Sequence, residues 1–66
     1  MVMKLIKLIG RSTNSWQEAA EDAVLQASKT IRHVKEVHVE QFEGLVEDGR
    51  IKEYLAEVIV TFDVER

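Results

Sequence analysis

The sequence predicts an α+β fold with the element order β-α-β-β, and three observations predict it. The run VMKLIKLI at 2–9 is aliphatic and reads as a strand. Apolar residues then recur at helical spacing from Trp16 to Ile31. Two further alternating stretches are separated by an Asp-Gly pair at 48–49, the dipeptide that favours a tight hairpin.

The first strand carries Ile6 and Leu8 on one face and Met3, Leu5 and Ile9 on the other, so both faces need cover. Gly10 and the polar run RSTNS are expected to close it. Ser15 followed by Glu18 has the spacing of a reciprocal capping box and starts the helix. Its stripe of Trp16, Ala19, Ala20, Ala23, Val24, Ala27 and Ile31 is mostly alanine, which lets a sheet approach closely and curve around it. Acidic Glu18, Glu21 and Asp22 near its start and Lys29 and Arg32 near its end complement the helix dipole. The second strand covers 34–46 and the third 51–64, with Tyr54, Ala56, Val58, Val60, Phe62 and Val64 as the core face. The opposite face, Glu53, Leu55, Glu57, Ile59, Thr61 and Asp63, mixes charge with aliphatic side chains, as a surface does when it meets another subunit.

Sixty-six residues make one domain, 1–66, and a chain of this size buries only about 60% of its unfolded surface. Such domains need reinforcement. Cysteine is absent, which removes disulfides and thiolate metal sites and suits a reducing cytoplasm. Strands of about 12 residues reach roughly 40 Å and outrun so short a helix, so self-association is the expected reinforcement. A net charge of -3 argues against a nucleic-acid partner. No apolar run approaches the roughly 20 residues of a membrane span, and MVMKLIKLIG is too short and too charged for a signal segment.

The sharpest constellation is Glu36-His38-Glu40 within VKEVHVEQF, an imidazole between two carboxylates on one strand face. An exposed salt-bridging face is favoured over a metal site, although copies of one carboxylate converging on a symmetry axis would create a hard-cation site. Ser12, Thr13 and Ser15 lie where a helix cap needs them and no nucleophile motif accompanies them, so nucleophilic catalysis is not expected. A phosphate loop is absent, since IGRSTNS has one glycine and no lysine. Trp16 and Tyr54 are expected in core or interface packing; Lys4, Lys7 and Arg66 could bind a nucleotide phosphate, but as isolated cations they are expected to be solvated surface charges.

Taken in order, KLIKLIGRSTNSWQEAAEDAVLQASKTI, VKEVHVEQFEG, the DG turn and EYLAEVIVTFDV resemble the dodecins over nearly the whole chain. The resemblance rests on the aliphatic strand ending in Gly10 and Ser12, on Ala19-Ala20, on Val39 and Gly44, and on Glu57-Val58 followed by Phe62. It implies a three-stranded antiparallel sheet partly wrapped around one helix and a hollow dodecamer, so that the expected partner is the chain itself. It also implies flavin storage, with a tryptophan in the second strand stacking on the ring and a glutamine in the third bonding to it. Those positions fall on Glu36 and Leu55 here, and neither can do the same work, because glutamate has no π face and leucine no amide. The Ser15-Trp16 pair is similar to a calcium-associated branch without that tryptophan. The candidate metal ligands are then Glu36, Glu40 and Asp48. The expected function is a non-enzymatic ligand- or ion-binding shell with flavin binding lost or weakened. A riboflavin- or FMN-storing dodecin and a structural assembly without ligand are the alternatives.

Overall fold

The structure is a computed structural model that describes residues 2–64. Strand β1 (Val2–Ser12), helix α1 (Trp16–Thr30) and strands β2 (Val34–Glu47) and β3 (Arg50–Val64) follow in the predicted order. The strands form one antiparallel sheet in the order β1-β3-β2, with the last strand in the centre.

Helix and sheet meet through small residues. Ala19, Ala23 and Ala27, one helical turn apart, pack on Ala56, Val58 and Val60 of β3, and these six form the buried core. Val58 and Val60 are its largest fully buried side chains, each stabilising the fold by roughly 2 kcal/mol through burial. Ile6, Leu8, Ala20, Ile31, Val34 and Val39 close the rim. Gly10 explains how the helix comes so near, because a Cβ there would overlap the carbonyl oxygen of Ala19. The expected end of β1 at Ile9 is therefore corrected: Gly10 continues the strand opposite Ala56, and Arg11 and Ser12 pair with Leu55 and Tyr54.

Helix α1 begins as the capping spacing predicts, with the amide of Glu18 donating to Ser15 Oγ at 3.1 Å. The reciprocal half differs. Glu18 Oε1 accepts instead from Asn14 Nδ2 at 2.9 Å and Ser12 Oγ at 3.2 Å, while the Ser15 amide donates to Ser12 Oγ. Ser12 at the end of β1 and Asn14 in the turn after it thus take the place of the cap's own amide. At the other end the stripe leaves the helix at Ile31, whose amide closes the last turn on Ala27.

Asp48 and Gly49 both have positive φ, 55° and 75°, as the tight Asp-Gly turn requires. The β2–β3 ladder above it is interrupted by three register shifts, one of them between Val39 and Gln41. That bulge inserts Glu40, so Val39 lies opposite Val58 and Phe42 opposite Ala56. Without it Phe42 would point away from the helix. The molecule measures 50 × 19 × 12 Å. A helix of 15 residues covers about 22 Å of that length, and Phe42, Leu45, Val46 and Ile51 stay exposed on the overhanging hairpin.

Candidate functional site

The face of the sheet turned away from the helix gathers the charged side chains. Register places Met3, Leu5, Lys7, Ile9 and Arg11 of β1 on it, opposite Asp63, Thr61, Ile59, Glu57 and Leu55 of β3. From β2 it receives Glu36 opposite Thr61, His38 opposite Ile59, Gln41 opposite Glu57 and Glu43 opposite Leu55.

Three ion-pair groups cross this face. At its centre Lys7 Nζ lies 3.2 Å from Glu40 Oε1 and 3.9 Å from Glu57 Oε1, so the β1 lysine reaches over β3 to the bulged residue of β2. Gln41 Nε2 donates to Glu43 Oε2 at 2.7 Å and to Glu57 Oε2 at 3.4 Å, extending the network along β2. Towards the hairpin, Arg11 holds Glu53 with both Nε and Nη2, at 2.8 and 3.0 Å. Towards the opposite end, Lys35 Nζ is 3.8 Å from Asp63 Oδ2. The hydrogen bond from Lys7 to Glu40, reinforced by the charges of Glu40 and Glu57, raises the lysine above its usual range. Its hydrogen bond to Arg11 lowers the Glu53 carboxyl despite a counteracting desolvation, and the same bond raises Arg11.

The predicted face of Glu36, His38 and Glu40 does lie on one side, but the bulge changes its geometry and Lys7 occupies Glu40. Asp48 sits in the turn at the far end of β2. Among the described residues no group of three or more His, Asp or Glu side chains is arranged to hold a metal ion within one chain. Glu36 and Leu55 share the face, yet Glu36 lies opposite Thr61, six residues along β3 from Leu55, a separation of about 20 Å.

The other side of the sheet holds the aromatic residues. Trp16 packs edge-on against Tyr54, with ring centroids 4.7 Å apart, and lies 6.2 Å from Phe42. Its indole Nε1 donates to the carbonyl of Glu43 at 2.9 Å. The packing role expected of Trp16 and Tyr54 is thus realised within the chain, and it ties the helix start to β2. Phe62 also faces the helix side, opposite Lys4 and Val34. The chain has one Trp, one Tyr and two Phe, so the ion-paired face has no Phe, Tyr or Trp of its own.

Sequence reading missed the pairs of Lys7 and Arg11. The hairpin turn sets the pairing of β2 with β3, but β1 reaches β3 only through a helix, and no local signal sets that register. Arg66 lies outside the described residues. No helix among the described residues is long and apolar enough to cross a membrane.

Comparison with known proteins decides the family. The dodecin family model matches residues 2–65. The chain belongs to the dodecin family. It is similar to the dodecin of Thermus thermophilus, with 31% identity over 64 residues that cover 97% of this chain and 93% of that one. A solved point mutant of the T. thermophilus dodecin superposes with a TM-score of 0.94 over 98% of this chain and 97% of that one, at 31% identity. The dodecin of Streptomyces coelicolor does so with a TM-score of 0.95 at 26% identity, over 98% and 93% of the two chains.

Proposed function

We propose that the protein is a non-enzymatic cytoplasmic shell of dodecin type, a hollow homododecamer of this single domain, that binds a small ligand or ion and has lost or weakened flavin binding. One observation carries the reading. Every Phe, Tyr and Trp of the chain lies on the helix side of the sheet, so the face bearing Glu36 and Leu55 offers an isoalloxazine ring no Phe, Tyr or Trp to stack on. The residues present do not fit a flavin. Glu36 adds a charge that repels a flavin phosphate, and Leu55 has no donor or acceptor for the ring edge.

Self-association has separate support. The gap of about 20 Å between Glu36 and Leu55 far exceeds a three-ring ligand, so a site using both needs residues of two copies. Exposed Met3, Leu5 and Ile9 on the same face supply apolar surface for such a contact. Calcium takes about six to eight oxygen ligands. One chain does not fit it, because Glu36 and Asp48 are separated by roughly 40 Å of strand and Glu40 is held by Lys7. A calcium site from Glu36, Glu40 and Asp48 therefore depends on carboxylates of several copies meeting.

Flavin titration tests the reading. The purified protein is expected to be colourless and to leave riboflavin and FMN fluorescence unquenched, while Glu36→Trp combined with Leu55→Gln confers quenching. Strong quenching by the unaltered protein overturns the reading in favour of flavin storage. Calorimetry with calcium and with chelator separates ion binding from a shell without ligand, and a monomeric mass by light scattering refutes the assembly.

A further inference from the structure

At the end of the molecule far from the hairpin, a recess of about 320 Å³ opens between the start of β1, the end of α1 and the end of β3, bordered by Lys4, Ile31, Arg32, His33, Phe62 and Asp63. Its volume is at the small end of the roughly 300–1,000 Å³ of ligand pockets. Its charge is opposite to that of the chain. Lys4 and Arg32 bring two permanent positive charges into a protein of net charge -3, and no ion pair among the described residues neutralises either. The one described carboxylate on the border, Asp63, is engaged by Lys35 at 3.8 Å. Of the two cations expected to complement the helix dipole, Lys29 lies in the last turn, whereas Arg32 lies beyond the end of α1 and borders the recess.

The connection from α1 to β2 is held in an unfavourable form. His33 has φ 61°, a conformation that side chains with a Cβ disfavour, and its carbonyl accepts from the amide of Asp63 at 3.4 Å. This bond pins the connection to the end of β3 and keeps Arg32 and His33 on the border. The floor is apolar, with Ile31 packed against the core and Phe62 half-buried. Charge recognition by a guanidinium and an ammonium beside an apolar, aromatic floor suits a phosphate carried on a small apolar body.

We propose that this recess binds a small phosphomonoester, with Lys4 and Arg32 holding the phosphate and Ile31 and Phe62 the apolar body. The site lies on the helix side of the sheet and does not depend on the reading of Glu36 and Leu55. The experiment is calorimetric titration of the assembled full-length protein at low ionic strength with phenyl phosphate, inorganic phosphate and phenol as probes. Phenyl phosphate is expected to bind at least about tenfold more tightly than either fragment, and added salt to weaken it. Lys4→Gln and Arg32→Gln are each expected to weaken it about tenfold, Arg32→Lys by less, and Lys52→Gln on the distant hairpin not at all, with unchanged mass by light scattering. Equal affinity for the three probes, or unaltered affinity in both glutamine variants, overturns the proposal. If a variant fails to assemble, the three-probe comparison on the unaltered protein decides.

Discussion

The two faces of the sheet are built on opposite principles. Towards the helix, Gly10, Ala19, Ala23, Ala27 and Ala56 leave so little room that the backbones nearly touch, and the four alanines are buried. Away from it, ion pairs of half-exposed side chains alternate with Met3, Leu5 and Ile9, all more than half exposed. Close packing of small residues tolerates almost no added volume, because neighbouring backbone cannot yield. Exposed pairs tolerate change, because water replaces a lost partner. The helix face therefore specifies the fold, and the charged face is free to vary in what it meets.

This contrast predicts a ranked set of outcomes. Gly10→Val is expected to have the largest effect, a loss of about 3 kcal/mol or more in denaturant unfolding, since even its Cβ collides with the Ala19 backbone; near-native stability would disprove the close contact. Val58→Ala should cost about 2 kcal/mol by the same measurement through the cavity it leaves. For Trp16→Phe the prediction is a smaller loss, about 1 kcal/mol, from the missing bond to Glu43. Replacing Gly49 tests conformation alone, because a Cβ there meets nothing within 4 Å while φ is +75°. Gly49→Ala should therefore cost about 1 kcal/mol, and a neutral result would mean the turn is not in this form.

The smallest effect belongs to the charged face. Glu53→Gln is expected to lower the melting temperature at neutral pH by less than any helix-face substitution, and to reduce its pH dependence. The sign follows from the lowered carboxyl: stability from Glu53 is fully present above the usual glutamate range and is lost as pH falls through the folded value. The unaltered protein should thus lose stability on acidification more steeply than Glu53→Gln, as melting curves through the acid range would register. Parallel curves for the two would show that the Arg11 contact contributes nothing. For Lys7 the direction is reversed, with stability present below the usual lysine range and lost at more alkaline pH.

Much of the architecture was legible in the sequence. The alanine stripe, the Ser15 cap and the Asp48-Gly49 turn are local signals that dictate a helix, its start and a hairpin, and the alternation of β3 named its core face. Less of the candidate site could be read, because the pair of Lys7 with Glu40 depends on how β1 lies against β3, which no short stretch of chain sets. Strict alternation would have assigned Phe42 to the charged side, whereas the bulge returns it to the helix side, near Trp16.

By itself, then, the sequence determined the order and type of the elements, since helical spacing, a cap and a tight turn act over a few residues. Tertiary structure alone decided that Gly10 belongs inside β1 beneath the helix, that Lys7 and Arg11 meet Glu40 and Glu53, and that the chain's Phe, Tyr and Trp residues all lie on one side of the sheet. Those facts depend on the register of β1 against β3 and, for Phe42, on the bulge in β2. The register of β1 is set by the sum of packing against the helix and not by any short stretch of chain.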